Sequence, residues 1–194
     1  MANPNARDLL VEIGTEELPP KALFALAEAF EQGIRTGLEK AGLTSSAIQR
    51  FATPRRLAVL IDRLPVHQPD RQIERRGPAL SAAFGPDGNP TKAAEGFARS
   101  CGVTVADLQR QETDKGAWVA VRQTVKGMRT AERVPDILRQ ALAGLPIAKR
   151  MRWGDGTAEF VRPVHWVVLL FGDEVIEADI LGIPTGRTSR GHRF

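Results

Sequence analysis

The chain is poor in the residues that build metal centres and covalent cross-links. It has one cysteine, Cys101, and three histidines, His67, His165 and His192. A single thiol cannot close an internal disulfide, and no CxxC is present to grip a metal. The histidines have no helical i, i+4 partners and no neighbouring cysteines, which argues against zinc. Cys101 lacks an adjacent base, so an inert packed thiol is expected. Long apolar runs are missing as well. Val164–Phe171 is the best, and it is of strand length and interrupted by His165, well short of the ~18 residues of a membrane span. Residues 1–7 contain no apolar segment of the kind that drives secretion. These absences favour the cytoplasm.

Signatures of self-contained catalysis are absent too. There is no GxxxxGK[ST], no GxGxxG, no GxSxG and no HExxH. Residues 85–92 have glycines, but at the wrong spacing and with two prolines among them. Glu12, Glu16 and Glu17 form a carboxylate group on paper. They read better as a strand-face residue and two charges that complement the positive end of a following helix. No complete catalytic centre is expected.

What is present is an ordinary globular composition, 42% hydrophobic and 26% charged over 194 residues, enough for one large domain or two small ones. The balance of 27 basic to 23 acidic residues gives a net charge of +4. Its distribution says more than its size. No acid follows Asp179, while Arg187, Arg190 and Arg193 crowd the final residues with His192 among them. Lys149, Arg150 and Arg152 form a second cluster, and Arg71, Arg75 and Arg76 a third. Such patches suit a polyanion. The plainer alternative is a solvated basic face, which composition alone favours.

Periodicity predicts strands over Asp8–Ile13, Ile48–Phe51, Arg56–Leu64, Ala117–Val125, Val164–Phe171 and Val175–Leu181, the last two joined as a hairpin through Gly172-Asp173-Glu174. Apolar residues at three- and four-residue spacing predict long amphipathic helices over Lys21–Lys40 and Thr130–Ala143, the first with Pro19-Pro20 in its opening turn. Thr91–Ser100 and Val105–Gln109 read as short helices, each capped by a threonine. Residues 182–194, with Pro184, Gly186 and Gly191, read as a loop that expects something after it. The fold class is therefore α+β: a mixed or antiparallel sheet packed with two long amphipathic helices, forming one unit over 1–194 with a small helical insert at 80–112.

Four segments exceed what local structure needs. Ala52-Thr-Pro-Arg-Arg56 places Arg55 and Arg56 behind a stiff proline. Lys149-Arg-Met-Arg-Trp-Gly-Asp155 sets Trp153 among three cations. Phe160-Val-Arg-Pro-Val-His-Trp166 alternates aromatic, basic and apolar residues. Gly186-Arg-Thr-Ser-Arg-Gly-His-Arg-Phe194 is a flexible arginine-rich loop. Arginine forks grip phosphates in pairs of hydrogen bonds, and an exposed indole stacks on an unpaired base. Each segment also has a plainer reading as an exposed basic loop, or as core for Trp153 and Trp166; core is the favoured reading for Trp166, and a hydrogen-bonded core or half-buried position for His165.

These segments, with Leu10-Val-Glu-Ile-Gly-Thr-Glu-Glu-Leu-Pro-Pro20 and Pro90-Thr-Lys-Ala-Ala-Glu-Gly-Phe-Ala-Arg99, carry a resemblance. In residues and in order, from residue 8 to the end, the chain resembles the beta subunit of bacterial glycyl-tRNA synthetase. The resemblance implies an N-terminal fragment of a longer chain, without that family's later HD-type region and anticodon-binding domain. It implies a non-catalytic contribution to ATP-dependent attachment of glycine to tRNA(Gly) within an alpha2-beta2 assembly. No cofactor is expected in this fragment; ATP and magnesium would be used through the alpha subunit. The expected tRNA- or partner-binding residues are Arg55, Arg56, Lys149, Arg150, Arg152, Trp153, Arg187, Arg190 and Arg193. The rival reading is a stand-alone RNA-binding module with no synthetase partner.

Overall fold

The computed structural model describes residues 5–113 and 116–191. The chain divides into two compact units, Met1–Pro69 with Met128–Phe194, and Asp70–Gly127. In chain order, the first unit opens with β1 (Ala6–Thr15), α1 (Leu23–Lys40), β2 (Ala47–Thr53) and β3 (Arg56–Pro65). The second holds β4 (Arg71–Ala79), α2 (Leu80–Ala83), α3 (Lys92–Cys101), a 3-10 turn (Val105–Asp107), β5 (Gln109–Thr113) and β6 (Gly116–Val125). The first resumes with α4 (Thr130–Ala143), β7 (Met151–Arg152), β8 (Glu159–Phe160), β9 (Val164–Phe171), β10 (Glu174–Val175), β11 (Asp179–Ile180) and β12 (Ile183–Gly186).

Alternation along β1 builds the core of the first unit. Val11 stands opposite Val59 of β3 and Leu169 of β9, and Ile13 opposite Leu57 and Val167, all in antiparallel register. These side chains share one face of the sheet. There they join Leu26, Phe30, Ile34 and Leu38 of α1, and Val134, Ile137, Leu138 and Leu142 of α4, in a single buried cluster. Burial of each such side chain is worth about 1.5–3 kcal/mol. The sheet runs β11-β12-β9-β1-β3-β2, with β10 also on β9. It is mixed because β12 lies parallel to β9 while the other pairs are antiparallel. The expected α+β class and its two long helices are therefore present.

The two helices meet through missing side chains. A Cβ on Gly33 would lie 3.0 Å from the Cα of Ala141, and one on Gly37 would lie 2.5 Å from Cγ2 of Ile137. One helical turn separates the two glycines, so the contact runs along one stripe. A Gly37→Val variant should lose about 1–3 kcal/mol through overpacking, although a β-carbon normally favours a helix over glycine. A lower urea midpoint with unchanged slope would register this; an unchanged midpoint would show that the helices move apart freely.

Three expectations shift. Helix α1 starts at Leu23 rather than Lys21, because Pro19 and Pro20 form a turn ahead of it in which Ala22 N–H donates to the Pro19 carbonyl at 2.9 Å. The predicted strand Val175–Leu181 is two short pieces, β10 and β11. The predicted loop from 182 onwards begins with a strand, β12.

In the second unit an antiparallel sheet of order β4-β6-β5 packs against α2 and α3 through Ala83, Ala94 and Val119. The stretch 80–112 lies inside this unit and is not helical throughout, since β5 begins at Gln109. Thr104 and Asp107 form a reciprocal capping box on the 3-10 turn. Thr91 precedes α3 as expected, but its hydroxyl donates to the Ala82 carbonyl (2.6 Å) and accepts no hydrogen bond from the helix backbone. The segments flanking this unit are zipped together within the first: Thr130 N–H donates to Val66 O and Gln68 N–H to Met128 O, both at 2.9 Å, with His67 bridged to Arg129.

Candidate functional site

The sheet face opposite the helices carries the site. Gly14 on β1 stands between Arg56 on β3 and Trp166 on β9, and Glu12 stands between Ala58 and Val168. At one end of this face opens a cleft of about 390 Å³, lined by residues of four segments: Glu17; Thr53 to Arg56; His165 and Trp166; and Arg190 and Gly191.

Three local devices bring these segments together. Thr53 pairs with Arg56, which leaves Pro54 and Arg55 as a two-residue hairpin turn between β2 and β3. The end of β1 is stitched to that turn, as Thr15 N–H donates to Arg55 O (3.0 Å) and Leu18 N–H to Pro54 O (2.6 Å), while Glu16 N–H reaches Pro163 O (2.9 Å). The third device is a bulge. Gly14 opposes Trp166 but Thr15 opposes Val164, so His165 is an extra residue in β9. The bulge returns Val164 to the core and leaves His165 exposed, with its Nε2 2.7 Å from Glu16 Oε1.

Gly14 is required for packing. A Cβ there would lie 1.9 Å from Cε2 of Trp166, so the indole rests flat on the bare β1 backbone. Its Nε1–H donates to Glu12 Oε1 at 2.6 Å. Glu12 is 6% exposed. It also accepts from Ser189 Oγ at 2.6 Å and has Arg56 Nε at 3.5 Å. Arg56 in turn donates to the Arg190 carbonyl. The segment following β12 is thus strapped over the sheet by one buried carboxylate and one guanidinium.

The charges fall into two kinds. Arg55 is paired with Glu16, and Arg56 with Glu12; these carboxylates fix guanidiniums that would otherwise sample many rotamers. Arg190 is different. Its guanidinium lies 5.8 Å from the Trp166 ring centroid, with Arg56 at 6.0 Å, and among the described residues no carboxylate is within salt-bridge distance of it. Among the described residues, the cleft offers an apolar indole beside one cation without a carboxylate partner and two held ones.

Of the residues expected from sequence, the fold therefore gathers Arg55, Arg56 and Arg190. Lys149 and Arg152 are exposed and Trp153 packs partly against the core. Arg150 donates to the Ala143 carbonyl at 2.8 Å, at the end of α4. None of these four lines the cleft. Arg187 turns away to the Asp173 carbonyl (2.9 Å), and Arg193 lies outside the described residues. Two readings are corrected. Trp166 is a half-buried cleft wall, not core. Glu16, expected to complement the positive end of α1, pairs with Arg55 and His165, and no acidic residue stands in the first turn of α1. Glu12 and His165 were missed as members of the site; the signal for Glu12 is its even spacing from Gly14, which places both on one strand face.

Comparison with known proteins extends the picture over nearly the whole chain. A family profile described as glycyl-tRNA synthetase beta subunit matches residues 9–194. The chain is 57% identical over 190 residues to the glycine–tRNA ligase beta subunit of Hahella chejuensis, covering 98% of this chain and 28% of that protein. It is 56% identical over 188 residues to that of Marinobacter nauticus and 57% over 188 residues to that of Mannheimia succiniciproducens, covering 97% of this chain and 27% of each. The chain spans little more than a quarter of the length of these curated relatives. On the extent and consistency of these matches, the chain belongs to the glycyl-tRNA synthetase beta subunit family.

Proposed function

We propose that this chain serves the ATP-dependent attachment of glycine to tRNA by holding the RNA, while bond-making proceeds in the alpha subunit of an alpha2-beta2 assembly. ATP and magnesium belong to that subunit in this reading, and the location is the cytoplasm. Among the described residues no helix is long and apolar enough to cross a membrane. The observation that carries the proposal is the convergence of Arg55, Arg56 and Arg190 around Trp166 in one cleft. Guanidiniums held by carboxylates are already oriented, so less freedom is lost when a phosphate arrives.

Phosphate contacts position an RNA without reading its sequence, and each contributes a salt-dependent term. Replacing Arg55 and Arg190 together with alanine should therefore flatten the log–log salt dependence of tRNA binding by about 1.4–1.8 units. The pair Arg150→Ala and Arg152→Ala tests the separate 149–153 cluster in the same way. Unchanged slopes for both pairs would remove RNA holding from the reading.

A second reading has its own support. Phe24 and Phe51 are exposed, and Arg50 lies 5.3 Å from the Phe24 ring centroid; aromatics beside arginine are favoured in protein interfaces. This surface suits the alpha subunit. Co-purification of that subunit with the intact protein separates a synthetase component from a stand-alone RNA-binding module.

A further inference from the structure

We infer that the cleft takes a single unpaired nucleotide of an RNA, its base stacked on Trp166 and its phosphate held by Arg55 and Arg190. This rests on the proposed RNA contact and narrows it to one kind of RNA feature. Size comes first. At about 390 Å³ the cleft is near the small end of the roughly 300–1,000 Å³ typical of small-molecule sites. A nucleotide fits such a space; a paired stem, whose bases are stacked inside, does not present one.

The indole is prepared for stacking. Its underside rests on Gly14 and its N–H is already bonded to Glu12, so the ring is fixed in position and its polar atom needs nothing from a ligand. What lies over it is a planar cation, Arg190, held by no carboxylate among the described residues. A guanidinium in that position marks where a flat group is accommodated. A base entering the cleft displaces Arg190 from the ring, and the freed guanidinium then closes on the base or its phosphate. Thr53 and Glu17 line the same space and supply a hydroxyl and a carboxylate for the polar edge of the base. Arg55, oriented by Glu16 at the rim, meets the phosphate.

The test uses the intact protein and two RNA hairpins with equal numbers of phosphates, one blunt and one with a short single-stranded 3′ extension. Fluorescence anisotropy should show tighter binding of the extended hairpin. Trp166→Leu should weaken that complex by roughly 5- to 150-fold, the range of base–aromatic stacking, and by more than it weakens the blunt-hairpin complex. Trp166→Phe should keep most of the preference. Because Trp166→Leu disturbs packing over Gly14, Arg190→Lys provides a second route. That side chain is exposed, its charge is kept, and the planar group is lost, so the preference for the extension should fall. Equal affinities of the unmodified protein for both hairpins, with a normal salt slope, would overturn the nucleotide pocket and leave RNA holding intact. Salt-independent binding of both would overturn the two together.

Discussion

Gly14→Ala destabilises the first unit by about 3 kcal/mol, far more than a single methyl group warrants, because the new Cβ falls 1.9 Å from the Trp166 ring. No rotamer of alanine avoids this, and the neighbour that must move is a rigid bicyclic side chain. The indole is expelled, and the loss approaches that of truncating a buried aromatic. Expulsion also breaks the Nε1–H bond to Glu12. A double-mutant cycle isolates the cause: with Trp166→Ala in place, Gly14→Ala should be close to neutral, since the space is then free and alanine restricts the unfolded chain. Additive effects of the two changes, measured by urea denaturation, would show that the cost of Gly14→Ala lies in the backbone and not in the indole.

Glu12→Ala has the second largest expected effect. Two donors, Trp166 Nε1 and Ser189 Oγ, lose their acceptor, and Arg56 loses the carboxylate 3.5 Å away. Leaving one buried donor unsatisfied costs about 1–3 kcal/mol, so a loss of roughly 3 kcal/mol is expected for the group, with part of it relieved by water at the cleft mouth. The strap over the sheet is released at the same time. Trypsin should then cut after Arg187 and Arg190 several-fold faster than in the parent protein, and Glu12→Gln, which keeps an acceptor, should retain most of the protection. Unaltered cleavage in Glu12→Ala would mean that the strap is held by something other than this carboxylate.

Strands and helices with a buried face announce themselves in the sequence. In β1, Leu9, Val11 and Ile13 alternate with residues of the opposite face, and in α1 Leu26, Phe30, Ile34 and Leu38 recur at helical spacing; both were legible for that reason. Two strands escape the same logic. Residues 71–76 of β4 are all exposed, so no apolar rhythm marks them. β12 contains Pro184 and is held by parallel backbone pairing to β9, a long-range bond that leaves no local trace. The arginines of the site were legible as a charge pattern. Their partners were not, because a carboxylate in a strand reads as surface and a tryptophan in an apolar run reads as core. Only the side-by-side register of β3, β1 and β9 shows that Arg56, Glu12 and Trp166 are neighbours.

The chain leaves for the second unit and comes back from it through a single doorway, where residues 66–68 are paired with 128–130. Every described residue lining the cleft belongs to the first unit. A change of length or composition in the 70–127 stretch therefore replaces none of the described side chains that form the cleft.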